Sequence, residues 1–339
     1  MILYRPGGFF TIGFLLFLKK IRKMKVNVIV LFVLTILVSC KEVVKKEEKP
    51  LVEQKKEEVS FEKPLINDNL SIKSKDDFLG YWVGDFKANL YDAQKDTIYG
   101  NDKYSNLITR KITFSIDEIK NDSVFGHSVT AGNVSPFKGV LREHEGAFDM
   151  QVEEFRRTRT DGKFSIQLQK RDSVMKGFWT AFNPDSVKIG SRIFDLKKRL
   201  FKYNPENELE YSFYDTDKFR DYESSTDTVN GEEVVYMDQE YFATTQKIYE
   251  ANPSTELLTK EFVSNLTKAD IFILRNSIFA KHGFAFRSKQ LRMYFEGFEW
   301  YMPVFSDVKK ELTAIETQNI ELLLRYEKNA EEYYDSFGR

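Results

Sequence analysis

Residues 147–169 read AFDMQVEEFRRTRTDGKFSIQLQ. Phe148, Met150 and Val152 alternate with Asp149, Gln151 and Glu153. Phe164, Ile166 and Leu168 then alternate with Ser165, Gln167 and Gln169. A period of two with one apolar face marks a half-buried strand, and Asp161-Gly162 supplies turn chemistry between the two runs. Ile112, Phe114 and Ile116 repeat the pattern upstream. Turn pairs recur at Asn121-Asp122, Gly132-Asn133, Glu145-Gly146, Arg171-Asp172 and Asn183-Pro184. This spacing predicts about eight short strands between Phe78 and Tyr203, closed as a sandwich or barrel. Asp122-Ser123-Val124 and Asp172-Ser173-Val174 open two strands that each carry a glycine, Gly126 and Gly177. Interior glycines of this kind mark sharp bends at barrel corners, which favours an up-and-down antiparallel β-barrel over residues 75–204.

Three histidines and one cysteine leave few ligands for a metal, and one cysteine forms no internal disulfide. His127 and His144 flank the Gly132-Asn133 turn. A hairpin centred there sets His127 opposite about Gly139 and His144 opposite about Asp122. The two rings would then lie ~16 Å apart, too far to share an ion. No metal and no cofactor is expected.

Ahead of the barrel, Val26 to Val38 is almost wholly apolar, follows six basic residues and no acidic one, and ends in Leu37-Val38-Ser39-Cys40. The run is shorter than the ~20 residues of a spanning helix and has the layout of a secretory signal. Leu37–Cys40 resembles the lipobox of bacterial lipoproteins. That resemblance implies cleavage before Cys40, a diacylglyceryl group on its sulfur and an acyl chain such as palmitate on its amine. Residues 1–39 are therefore expected to be a signal peptide, whose start is either Met24 or Met1 with the apolar stretch Phe9–Leu18 as an upstream helix making a hairpin. Residues 41–63 carry seven Lys and seven Glu with a single aromatic, Phe61. Such a tract cannot bury enough apolar surface to order itself, and residues 40–74 read as a disordered tether.

The chain carries 51 basic and 52 acidic residues; without the basic leader, 45 basic face 52 acidic. That balance argues against nucleic acid as a partner. Residues 205–250 are polar and tyrosine-rich and read mostly as a connector, with Val234-Val235-Tyr236 as one candidate strand.

From 251 to 339 the period changes to that of helices. Thr267 and Asp270 make a capping-box start, followed by the stripe Ile271, Leu274, Ile278 and His282, with Arg275 on the same face. Gly283 supplies the left-handed stop. A second start falls at Ser288, an aromatic turn at Trp300-Tyr301-Met302-Pro303, and a full capping box at Thr313–Glu316 opens a last helix. That helix has a stripe of Ile315, Asn319, Leu322, Leu323, Tyr326 and Ala330. Asn319 interrupts the apolar stripe and is expected to hydrogen-bond the backbone or ring around His282–Phe286.

The run Ile278-Phe279-Ala280-Lys281-His282-Gly283-Phe284-Ala285-Phe286 resembles the core of the YARHG domain family. Leu274-Arg275-Asn276, Tyr294-Phe295, Trp300–Pro303, Leu312-Thr313, Glu316 and Asn319-Ile320 follow the family pattern in order. Phe279 and Lys281 depart from it, losing a hydroxyl and a planar guanidinium fork. The resemblance implies a small all-α extracytoplasmic domain of a bacterial envelope protein and no enzymatic activity. Arg275, His282, Gly283, Trp300, Tyr301 and Asn319 are its candidate ligand-binding or structural residues. Upstream, Gly80-Tyr81-Trp82 resembles the Gly-x-Trp that begins lipocalin-like barrels, which implies a small apolar cavity; the competing expectation is a barrel plugged by its own side chains.

The chain thus reads as an α+β multidomain protein, a β-barrel followed by a helical YARHG domain. It is expected to sit in the cell envelope, held to the membrane through acyl chains at Cys40, on the periplasmic or surface side. Its expected partners are cell-wall glycan or peptide. The sequence has no His-Glu-x-x-His, Gly-x-Ser-x-Gly or P-loop motif, and no enzyme is expected. The alternatives are a carrier of a small apolar ligand and an envelope hydrolase, since paired carboxylates leave no linear motif.

Overall fold

The computed structural model describes residues 71–89, 108–156 and 158–330. Cys40, the signal segment and nearly all of the proposed tether lie outside the described residues.

Eight antiparallel strands close a barrel in sequence order: β1 (Gly80–Ala88), β2 (Thr109–Lys120), β3 (Ser123–Thr130), β4 (Asn133–His144), β5 (Ala147–Glu154), β6 (Gly162–Gln169), β7 (Val174–Ala181) and β8 (Ser191–Arg199). β1 closes the ring, setting Trp82 opposite Phe114 of β2 and Lys198 of β8. The up-and-down barrel read from the alternation is the observed one. The β3–β4 turn sits one residue earlier than expected, at Ala131-Gly132, both with positive φ as a two-residue type I′ turn requires. His127 therefore faces Pro136, not Gly139, and His144 pairs with Ala147 of β5 instead of reaching Asp122. Each ring instead meets its own carboxylate, His127 with Asp117 and His144 with Asp149.

The inward positions fill the barrel. Trp82, Phe114, Phe137, Phe148, Phe164 and Leu196 are almost fully buried in one cluster. Phe164 lies at its centre, 5.0 Å from the Phe114 ring and 5.9 Å from Phe194. At Gly126 and Gly177 a Cβ would meet both a strand carbonyl and the ring of Phe137 or Phe194, so these glycines let the aromatics close over the wall. One end is shut by Phe78, whose carbonyl accepts the Trp82 indole N–H at 2.8 Å. Ile72 belongs to the same core and exchanges backbone hydrogen bonds with Arg171 and Asp172, so the barrel reaches into the stretch read as tether.

Residues 205–250 differ from expectation. They hold two long strands, β9 (Tyr214–Val229) and β10 (Glu232–Ala243), joined at Asn230-Gly231. Both turn residues have positive φ, again type I′. Four helices follow: α1 (Lys260–Ser264), α2 (Lys268–Lys281), α3 (Lys289–Phe295) and α4 (Ala314–Glu327). The capping boxes at Thr267/Asp270 and Thr313/Glu316 form as read, and Ser288 caps α3. The helices rest on the outer wall of the barrel. Val83 packs with Met302 and Val304, and Lys111 Nζ donates to the carbonyls of Phe298 and Tyr301 at 2.7 and 3.2 Å.

Candidate functional site

The barrel interior changes character along its axis. The inward row of β5 runs Phe148, Met150, Val152 and ends in Glu154; that of β8 runs Leu196, Phe194 and ends in Arg192. On β3 the row passes from Val124 to Ser128 and Thr130. The polar ends all meet at the mouth opposite Phe78, around a cavity of about 290 Å³ floored by Phe86, Phe164 and Trp179.

Glu154 is 4% exposed. Its Oε1 accepts from Ser128 Oγ at 2.7 Å, and its Oε2 accepts from the Gly162 N–H at 2.8 Å and Trp179 Nε1 at 3.2 Å. Burial pushes its carboxyl above the usual range, outweighing these donors. Arg192 lies over the Phe86 ring and donates to the carbonyls of Phe86 and Ile108. Arg110 lines the same cavity. Its Nε is buried without a hydrogen-bond partner, and burial, with Arg292 nearby, lowers the guanidinium to about 10. Behind Ser135, Asp161 is fully buried. Burial would raise it, but the Thr158 donors and Arg156 hold it below the ordinary value.

Aromatic walls, a buried carboxyl and two guanidinium groups suit recognition of a small ligand with both apolar and polar parts. Among the described residues no group of three or more His, Cys, Asp or Glu is placed to hold a metal ion. The residues of this site form no linear motif. Glu154, Ser128 and Arg192 continue the parity of strands already recognised, and a polar residue on the inward row was the available signal.

The six candidate residues of the helical region do not converge on an open cavity. His282 caps α2, is 4% exposed, and its Nε2 lies 2.8 Å from Glu316 Oε2. Tyr203 stacks on the His282 ring at 4.1 Å and donates its hydroxyl to Glu316 Oε1 at 3.0 Å. Glu316 also accepts the Thr313 N–H, so one carboxylate caps α4 and ties it to α2. Burial alone would raise the Glu316 carboxyl; the bonds from His282 and Thr313 hold it below its ordinary value. Gly283 has φ +73, and its carbonyl accepts from the N–H groups of Val304 and Phe305. A Cβ there would meet the Phe201 ring at 2.7 Å.

Tyr301 is buried and donates to the Phe284 carbonyl at 2.7 Å; Trp300 donates to Glu208 O at 3.0 Å. Arg275 pairs with Glu327. Lys281, in place of the family's arginine, donates to Pro205 O and Asn252 Oδ1, and burial lowers it to about 8.

Asn319 corrects the sequence reading. It accepts from the Leu258 N–H at 2.9 Å and donates to the carbonyls of Pro253 and Glu256, not to His282–Phe286. The passage after α2 is already satisfied by residues 301–305 and by Glu316, one turn earlier on α4. Asn319 is left facing the turn before α1. The sequence marks Glu316 as the cap of α4 and as a position of the YARHG pattern, but neither mark assigns it the bond to His282.

No curated protein and no solved structure matches the chain. Residues 246–328, which hold His282, Glu316 and the four helices but not Tyr203, match the family model of the YARHG domain.

Proposed function

We propose that the protein is a lipid-anchored, non-catalytic binding protein of the bacterial envelope, with the barrel mouth as its receptor site. A YARHG domain is consistent with an extracytoplasmic protein. The Leu37–Cys40 sequence supports acylation at Cys40. No helix of the described residues is long and apolar enough to cross a membrane. The observation that carries the receptor reading is the mouth cavity itself, with the buried Glu154 carboxyl and the side chains of Arg110 and Arg192 in its lining. Of the YARHG signature side chains, His282, Trp300, Tyr301 and Asn319 bond to the protein's own groups, and Arg275 pairs with Glu327. The reading as a carrier of an apolar ligand is narrowed by the filled interior, which confines any ligand to the mouth.

Native mass spectrometry of full-length protein extracted from its own membranes tests both halves. The expected spectrum carries acyl mass that disappears in Cys40→Ser, together with loss of that variant to the soluble fraction. It also carries a separate, dissociable adduct that disappears in Thr130→Trp, which fills the mouth from its half-buried rim. Unmodified Cys40 overturns the anchor, and absence of any dissociable adduct, or its persistence in Thr130→Trp, overturns the receptor site.

A further inference from the structure

β9 and β10 form a two-stranded ribbon, and among the described residues no third strand pairs with either edge. The twelve residues of β10 reach about 40 Å. Only the base is anchored, where Phe242 packs against Phe213 in the helical core. From Phe219 to Gln239 every residue is exposed except the half-buried Val234. An isolated hairpin is marginally stable in water, and this one gains little from burial.

Its surface is chemically one-sided. Residues 214–243 hold nine acidic and two basic residues, and residues 221–239 hold six acidic and none basic. The two basic residues sit at the base, Lys218 over the Phe242 ring and Arg220 paired with Glu240. Between the carboxylates stand exposed apolar side chains: Val229, Tyr222 and Tyr236 on one face, Phe219, Val235 and Met237 on the other.

We propose that this ribbon is a docking surface for a basic, strand-forming polypeptide segment that adds to one of its edges. Two unpaired rows of backbone N–H and C=O groups select an extended polypeptide. The carboxylates select lysine or arginine, and the apolar side chains between them select alternate apolar residues. A second copy of the ribbon, an anionic lipid surface or a nucleic acid would meet like charge on the acidic tip.

The test uses the full chain and a labelled peptide of alternating lysine and valine, followed by fluorescence anisotropy. A second peptide of equal charge, with proline in place of alternate valines, cannot form a strand. Saturable binding of the first peptide is expected, with the proline peptide at least about tenfold weaker. Glu232→Gln/Glu233→Gln/Asp238→Asn, and a variant with residues 223–237 replaced by Asn-Gly, should each weaken binding at least about tenfold at unchanged melting temperature. Equal binding of both peptides would reduce the effect to plain charge attraction and overturn strand addition. Full affinity in the shortened variant would place the contact elsewhere. No binding would mean that the carboxylates only keep the exposed edges from self-association.

Discussion

Replacing Glu316 with alanine is expected to cost about 2–6 kcal/mol of folding free energy, since it leaves two buried polar groups unpaired at about 1–3 kcal/mol each. The substitution leaves His282 and the Tyr203 hydroxyl without their shared acceptor and strips the N–H of Thr313 of its cap. For a protein of this size the melting temperature should fall by about 10 °C. Glu316→Gln keeps the shape and one acceptor oxygen and should fall between wild type and alanine. The loss should also depend on pH. The folded Glu316 carboxyl titrates below its ordinary value of 4.5, so its stabilisation is complete above that pH and disappears as pH falls through the folded value. Wild type and Glu316→Gln should therefore converge in stability under acid, measured by urea midpoints at pH 7 and below pH 4.5. A constant difference across that range would contradict an ionised Glu316 in the fold.

Phe164→Ala should be comparably severe, about 3–5 kcal/mol. The ring is 1% exposed and lies within 6.4 Å, centroid to centroid, of Phe86, Phe114, Phe137 and Phe194. Rings from four other strands lean on it, and they cannot all move inward to fill its volume. Its loss would also open the floor of the mouth cavity into the barrel. Phe178 on the outer face of β7 is 51% exposed, so Phe178→Ala should stay within about 0.5 kcal/mol of wild type. Equal urea midpoints for the two variants would contradict a packed interior.

The barrel was legible because its strands carry one apolar face each, and a half-buried strand writes that alternation directly into the chain. The helices were legible for a related reason, since Thr267, Ser288 and Thr313 advertise their starts. The β9–β10 ribbon was not legible as a pair of strands. Neither of its faces is buried, so Asp227 and Glu233 stand where an apolar residue would have revealed the period; Val234-Val235-Tyr236, a candidate strand that lies within β10, and the Asn230-Gly231 turn were the surviving signs. The mouth was half legible: the parity that identified β5 leads straight to Glu154, but only closure of the ring brings Ser128, Trp179 and Arg192 around it. Asn319 was recognised as a buried amide in need of partners, and it has three. Which backbone it serves depended on how α4 rolls against α2, which the stripe alone does not specify.

The role proposed for the YARHG signature residues is that of a folding device, with His282 and Glu316 joining α2 to α4, and a double-mutant cycle measures that directly. His282→Ala, Glu316→Gln and the double variant of the full chain are each unfolded in urea at pH 7. A structural pair predicts a coupling energy above about 1 kcal/mol, so that the double variant is markedly less destabilised than the sum of the two singles. Singles that add to within about 0.3–0.5 kcal/mol, with melting temperatures near wild type, would contradict it and return the two side chains to the search for a ligand.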